Sequence, residues 1–246
     1  MGRVYKNPPV VEALCEFHFD QSSLWDVTIF GHYYDRIQKE FHHKRQVPQV
    51  EMSLEKRERG MMGEIREKGV RMQFMRPDRS AMVQLAPHLL VVNKLPPYES
   101  WRVFKTLILA RLADYKEVVS TVLLQQIGLR YINRFDFPLE GFAVGTAFGF
   151  SEFLPDRLRQ AIAPFFLRLE MPQDKKERLM LTMGSIESES PDRVSVLLDL
   201  DYQIIIAAEL DEAVLSEYLD KAHGHIEEVF ESCLTDELRE RFNREV

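Results

Sequence analysis

Residues 10–20 read Val-Val-Glu-Ala-Leu-Cys-Glu-Phe-His-Phe-Asp, and their character alternates. Val11, Ala13, Cys15, Phe17 and Phe19 fall on one side. Glu12, Glu16, His18 and Asp20 fall on the other, with Leu14 the one apolar exception. A period of two marks a half-buried strand. One face must meet a core while the other meets water or a partner. The alternation returns at Gln126–Pro138, where Leu129, Tyr131, Asn133 and Phe135 oppose Arg130, Arg134 and Asp136. Two such strands commit the chain to a sheet with one covered face.

Each of these strands leads into elements of similar order. After the first, Ser22 or Ser23 offers a helix N-cap, and apolar residues at helical spacing predict a helix over 24–42. Val47-Pro48 is expected to end it, with a strand over 49–54 and a loop or ragged hairpin through Glu55–Arg59, Gly60 and Gly63. Strands are expected over 70–75, 81–85 and 89–95, then a helix over 99–119. After the second strand and a Gly-rich connection, Ser151 is expected to open a helix over 153–162. Strands over 165–171, 178–183 and 194–206 come next, then a helix from Asp211 to Cys233 and a last short one after Thr235. The chain therefore reads as two α+β halves, 1–122 and 123–246, repeated at a period of roughly 115 residues and packed as one domain. Joined edge to edge, they predict one curved antiparallel sheet with helices on one face. That order resembles the saddle of the TATA-box-binding protein by analogy of elements alone.

The 246 residues are enough for a proper core. A net charge of −7 gives no global field for nucleic acid or an anionic membrane. The expected open face is mixed in charge and lacks the apolar wedges that kink a minor groove, so neither nucleic acid nor membrane is an expected partner. Two cysteines far apart, Cys15 and Cys233, read as reduced structural thiols, and no signal-like segment opens the chain, so a cytoplasmic setting is expected.

With the first strands of the two halves side by side, Glu12 and Glu16 are expected across from Arg130 and Arg134 as cross-strand ion pairs. That face, with Glu12, Glu16, His18, Arg130, Arg134, Asp199 and Asp201, is the expected binding surface. It would receive a partner protein or small polar ligand. The competing reading is a metal-dependent hydrolase or nucleotide enzyme built on Glu16, His18, Asp20, Asp199 and Asp201. Against it, no histidine pair has chelating i, i+4 spacing, and no phosphate-binding or nucleophile-elbow motif is present. No cofactor, metal site or catalytic residue is expected. His223, on an apolar helix face, is expected to be a hydrogen-bonded core group. Asn133, on the buried strand face, is expected to bond a loop such as Asn7-Pro8-Pro9.

Three stretches carry a resemblance. They are Tyr5-Lys6-Asn7-Pro8-Pro9-Val10-Val11-Glu12-Ala13 with Glu16-Phe17; then Gly128-Leu129-Arg130-Tyr131-Ile132-Asn133-Arg134; and last His223, Phe230 and Leu234-Thr235-Asp236. On these the chain resembles a sporadically distributed family of prokaryotic proteins of about this length, to which no activity is attached. The resemblance implies a cytoplasmic bacterial or archaeal protein. Patchy distribution is typical of mobile genes, including anti-phage and toxin–antitoxin systems. It implies no catalytic residues, and it makes Glu12, Arg130, Asn133 and Arg134 motif residues. The function expected is a non-enzymatic binding or regulatory protein in such a system.

Overall fold

The computed structural model describes residues 5–21, 25–57, 60–119, 123–149, 164–209 and 211–243, without the side chains of 49–68. Nine strands form one curved antiparallel sheet in the order β2-β3-β4-β5-β1-β6-β9-β8-β7. The strands are β1 (Val10–Phe19), β2 (His43–Arg57), β3 (Gly60–Met75), β4 (Ala81–Ala86), β5 (Leu89–Lys94), β6 (Leu124–Pro138), β7 (Phe166–Pro172), β8 (Glu177–Ile186) and β9 (Arg193–Ala208). The described helices are α1 (Thr28–Ile37), α2 (Trp101–Lys116), α3 (Val144–Ala147), α4 (Glu212–Cys233) and α5 (Asp236–Arg241).

From the centre outward, both halves follow one rule. The leading strand is central, the last strand of that half lies next to it, and the rest run back in order. β1 and β6 meet at the middle as antiparallel neighbours. The expected halves differ in size, with five strands in the first and four in the second.

The alternation decides which face is covered. Ala13, Cys15, Phe17 and Phe19 of β1 join Leu129, Tyr131 and Phe135 of β6 in one core. The buried stripe of α2 (Phe104, Leu107, Ile108, Leu112, Tyr115) and that of α4 (Leu215, Leu219, Ala222, Ile226) belong to the same core. Local signals set the helix starts. Ser100 Oγ accepts from Val103 N, Asp211 Oδ1 from Val214 N and Thr235 Oγ1 from Leu238 N.

Several boundaries differ from expectation. The helix expected over 24–42 is α1, ten residues long. Asp26 Oδ1 accepts from Thr28 N at its start, and Ser22 and Ser23 lie outside the described residues. Phe41 is buried as expected, but it lies beyond the helix, just past the turn at 38–40. Val47-Pro48 does not bound a strand. It sits within β2, on the sheet edge where a missing N–H is tolerated. Glu55, Lys56 and Arg57 belong to β2 and Gly60 and Gly63 to β3, which pair along their length, while residues 58 and 59 lie outside the described residues. The helix expected over 153–162 lies outside the described residues. No described helix is long and apolar enough to cross a membrane.

Candidate functional site

The open sheet face carries the residues expected there, but in a different pairing. β1 and β6 are neighbours, yet their register sets Leu14 opposite Arg130, Glu12 opposite Ile132 and Glu16 opposite Gly128. The ladder expected from Glu12 and Glu16 to Arg130 and Arg134 is therefore not formed. Arg130 turns to β9 and holds Asp199 with two bonds, Nε to Oδ1 at 2.8 Å and Nη2 to Oδ2 at 2.6 Å. Arg134 bonds Asp136 and Glu189, each at 3.2 Å. Glu12 Oε1 accepts from Asn93 Nδ2, the end of a polar row through Gln84 to Gln73 and Arg71.

Glu16 lies 3.4 Å from His18 Nε2. Burial works to raise its carboxyl, but the hydrogen bond and charge of His18, with Arg130 and Arg71, hold it below the usual range. Asp201 is pushed the other way, upward, by burial first and by the charges of Glu16 and Asp199. Gln203 and Arg130 only partly offset this. Leu14, Ala86, Leu89 and Val91 form a small apolar floor on the same face, which the polar half of the alternation did not predict. Asp20 stands beyond β1, bonded by Gln125. Among the described residues no three His, Cys, Asp or Glu side chains are grouped to hold a metal. Glu16, His18, Asp20, Asp199 and Asp201 are thus not brought together as a ligand set.

A cavity of ≈ 560 Å³ opens on the other side of the sheet, where the helices lie. Its floor is Val10 of β1 with Tyr131 and Asn133 of β6. The turn into α2 supplies Tyr98, Glu99 and Ser100, and the first turn of α2 supplies Trp101 and Arg102. α4 supplies His223, Ile226, Glu227, Phe230 and Glu231, and Tyr5, Pro8 and Pro9 close the remaining side. All three stretches on which the resemblance rests contribute to this one wall. The N-terminal segment is tied down at two points: Arg134 N donates to Pro9 O, and Asn7 N to Phe242 O.

The wall is aromatic, with polar groups at set places. Tyr98 and Tyr131 share a hydrogen bond of 2.8 Å between hydroxyls. Burial pushes both phenols well up, and the charge of Glu227 adds to this. His223 stacks on Trp101 at 4.4 Å between ring centroids. The Trp101 indole is itself fixed by Nε1 donating to Asp220 Oδ1. Desolvation lowers His223 to about 4 against the pull of Asp220, so the ring is neutral at pH 7. The hydrogen bond expected for it is not formed to any described residue. Asn133 is 1% exposed, and Nδ2 donates to Leu198 O at 3.2 Å. Its partner is β9 rather than the Asn7-Pro8-Pro9 segment.

Three carboxylates stand on this wall. Glu231 accepts from Tyr5 at 2.7 Å and from Arg239 at 3.0 Å. Glu99 is paired with the buried Lys94 at 2.8 Å. Glu227 has neither a hydrogen bond nor an ion pair to a described residue. Its carboxyl is raised by burial and then by the charge of Glu231, and the charge of the chain's amino terminus only partly offsets this.

The sequence points to a candidate surface on the open face and gives no direct sign of this cavity. The signal lay in the three motif stretches, whose shared destination only the fold reveals. Comparison with protein-family models, curated proteins and solved structures finds no match to this chain.

Proposed function

We propose that this chain is a binding protein whose ligand enters the cavity between the sheet, α2 and α4. The observation that carries this is convergence: segments around residues 5–10, 98–102, 131–133 and 223–231 meet around one space. The volume falls within the range of small-molecule sites, which combine apolar walls with a few fixed polar groups. Binding is favoured over turnover because, among the described lining residues, no hydroxyl or thiol is set up as a nucleophile. Ser100 Oγ caps α2, Tyr98 and Tyr131 are held protonated by burial, and the cysteines are buried. The open face is the weaker candidate, since Arg130 and Arg134 already hold acids of their own sheet face. A regulatory setting in prokaryotic defence or toxin control rests on the resemblance alone.

The test is titration of the full chain with N-phenyl-1-naphthylamine, a neutral apolar dye that fluoresces out of water. Saturable one-to-one enhancement is expected. It should be lost in Ile226→Trp, which fills the cavity, and kept in Arg134→Ala. Circular dichroism checks that both variants fold. The reverse pattern would move the site to the open face.

A further inference from the structure

We infer that β7 is a dimerisation edge: two copies of this chain join antiparallel along it, with Leu169 on the twofold axis, so that one sheet runs through both. No residue of this pairing lines the cavity.

β7 ends the sheet, and among the described residues no strand lies beyond it. The backbone bonds beyond its two ends fix which groups are free. Ser185 N donates to Phe165 O, and Gln173 N donates to Glu177 O. Odd-numbered residues therefore aim their backbone groups at β8, because the direction alternates along an antiparallel strand. Phe166, Arg168, Glu170 and Pro172 aim theirs outward, and of these only Pro172 has no N–H to offer. Such a row is a template for another strand. The side chains are open as well, with Phe166 74% and Leu169 42% exposed. The opposite edge is guarded, since β2 has Pro48 within it and carries Lys44 and Arg45. β7 has no lysine, and its proline is its last residue.

The occupant follows from the sequence of the strand, Phe-Leu-Arg-Leu-Glu-Met-Pro, which is its own antiparallel complement about Leu169. Arg168 of each copy stands opposite Glu170 of the other. Leu167 faces Met171, Phe166 faces Pro172, and Leu169 faces its own copy. Opposite charges directly across a strand pair stabilise it, and like charges destabilise it. Moving the axis by one residue sets Arg168 against Arg168 or Glu170 against Glu170, so one register is selected. Arg168 is available for this pairing: Nη2 donates to Met180 Sδ at 3.3 Å, and it holds no acid among the described residues. Leu167, Leu169 and Met171 pair with the buried Met183, Leu181 and Leu179 of β8, which puts them on the helix side of the sheet. There the second copy would cover Leu169. An unrelated extended peptide would find the same amides without the matched charges.

The test is sedimentation equilibrium of the full chain. A reversible dimer of micromolar strength is expected, because one strand edge makes a small interface. Arg168→Glu and Glu170→Arg each set like charges opposite one another at two places, and each should weaken the dimer about tenfold or more. An equimolar mixture of the two variants restores opposite charges at both places and should dimerise like the parent. Under mild oxidation Leu169→Cys should crosslink across the axis, and Arg168→Cys, out of reach of its copy, should not. Circular dichroism checks that the variants fold. A chain that stays monomeric up to about 200 μM, a dimer that both charge variants leave intact, a mixture no stronger than its separate members, or no crosslink in Leu169→Cys would each overturn the inference.

Discussion

Arg130 reaches past Asp201, its register partner on β9, and closes on Asp199 two residues away. The choice separates two aspartates that look equivalent in sequence. A two-pronged guanidinium–carboxylate bond is among the stronger polar contacts. Asp199→Asn is expected to cost about 1–2 kcal/mol, read from urea unfolding at pH 7.

Asp201 should behave oppositely. Its carboxyl is raised in the folded protein, first by desolvation. Protonation therefore favours the folded state, and that contribution is lost as pH rises through the raised value. Asp201→Asn is expected to stabilise the protein by up to about 1 kcal/mol at pH 7. The gain should fade when unfolding is repeated near pH 3.

His223 sets an acid limit. Its ordinary value of 6.5 falls to about 4 in the folded protein. Between those values the unfolded chain binds a proton that the folded chain refuses. Its contribution is intact above pH 6.5 and declines as pH falls towards 4. The loss should be about 2 kcal/mol across that window, allowing for partial screening. His223→Phe, which can keep the stack on Trp101, should flatten the slope in a series of denaturation curves.

Lys94 is 2% exposed, and among the described residues its ammonium meets Ser80 O, at 3.2 Å, and Glu99, at 2.8 Å. Glu99→Gln strands a buried ammonium and should cost about 2–4 kcal/mol. Lys94→Met removes the charge with its need for a partner and should cost far less. Thermal unfolding of the two variants side by side checks the ordering.

Both thiols should be silent in the folded state. Cys15 and Cys233 are buried, and desolvation raises both, Cys233 to about 11. A thiolate is the reactive form. Titration with dithiobis(nitrobenzoate) should therefore give no reaction in buffer and two equivalents in guanidinium chloride.

Legibility in the sequence depends on where each signal resides. Burial of Ala13, Cys15, Phe17 and Phe19 needs only local alternation, and all four are core residues. Pairing is not local. A bulge between Val10 and Glu12 and another between His18 and Phe19 help set which residues face each other across β1 and β6. A side chain as long as Arg130 then chooses among acids on either flank. The β2–β3 hairpin was obscured because glycines and a charged run resemble a loop when read in line. The cavity was hidden for a different reason. Tyr98, Trp101, Tyr131 and Phe230 each look like ordinary core aromatics, and only the fold leaves a space between them.

The two leading strands form the seam of the sheet, so neither half can be lifted out whole. Made as separate chains, 1–122 and 123–246 would each bare a fresh row of unmet amides and carbonyls, one on β1 and the other on β6. Each fragment would be adhesive alone, and the pair would be complementary. Co-expressed, they should reassemble; made singly, they should precipitate.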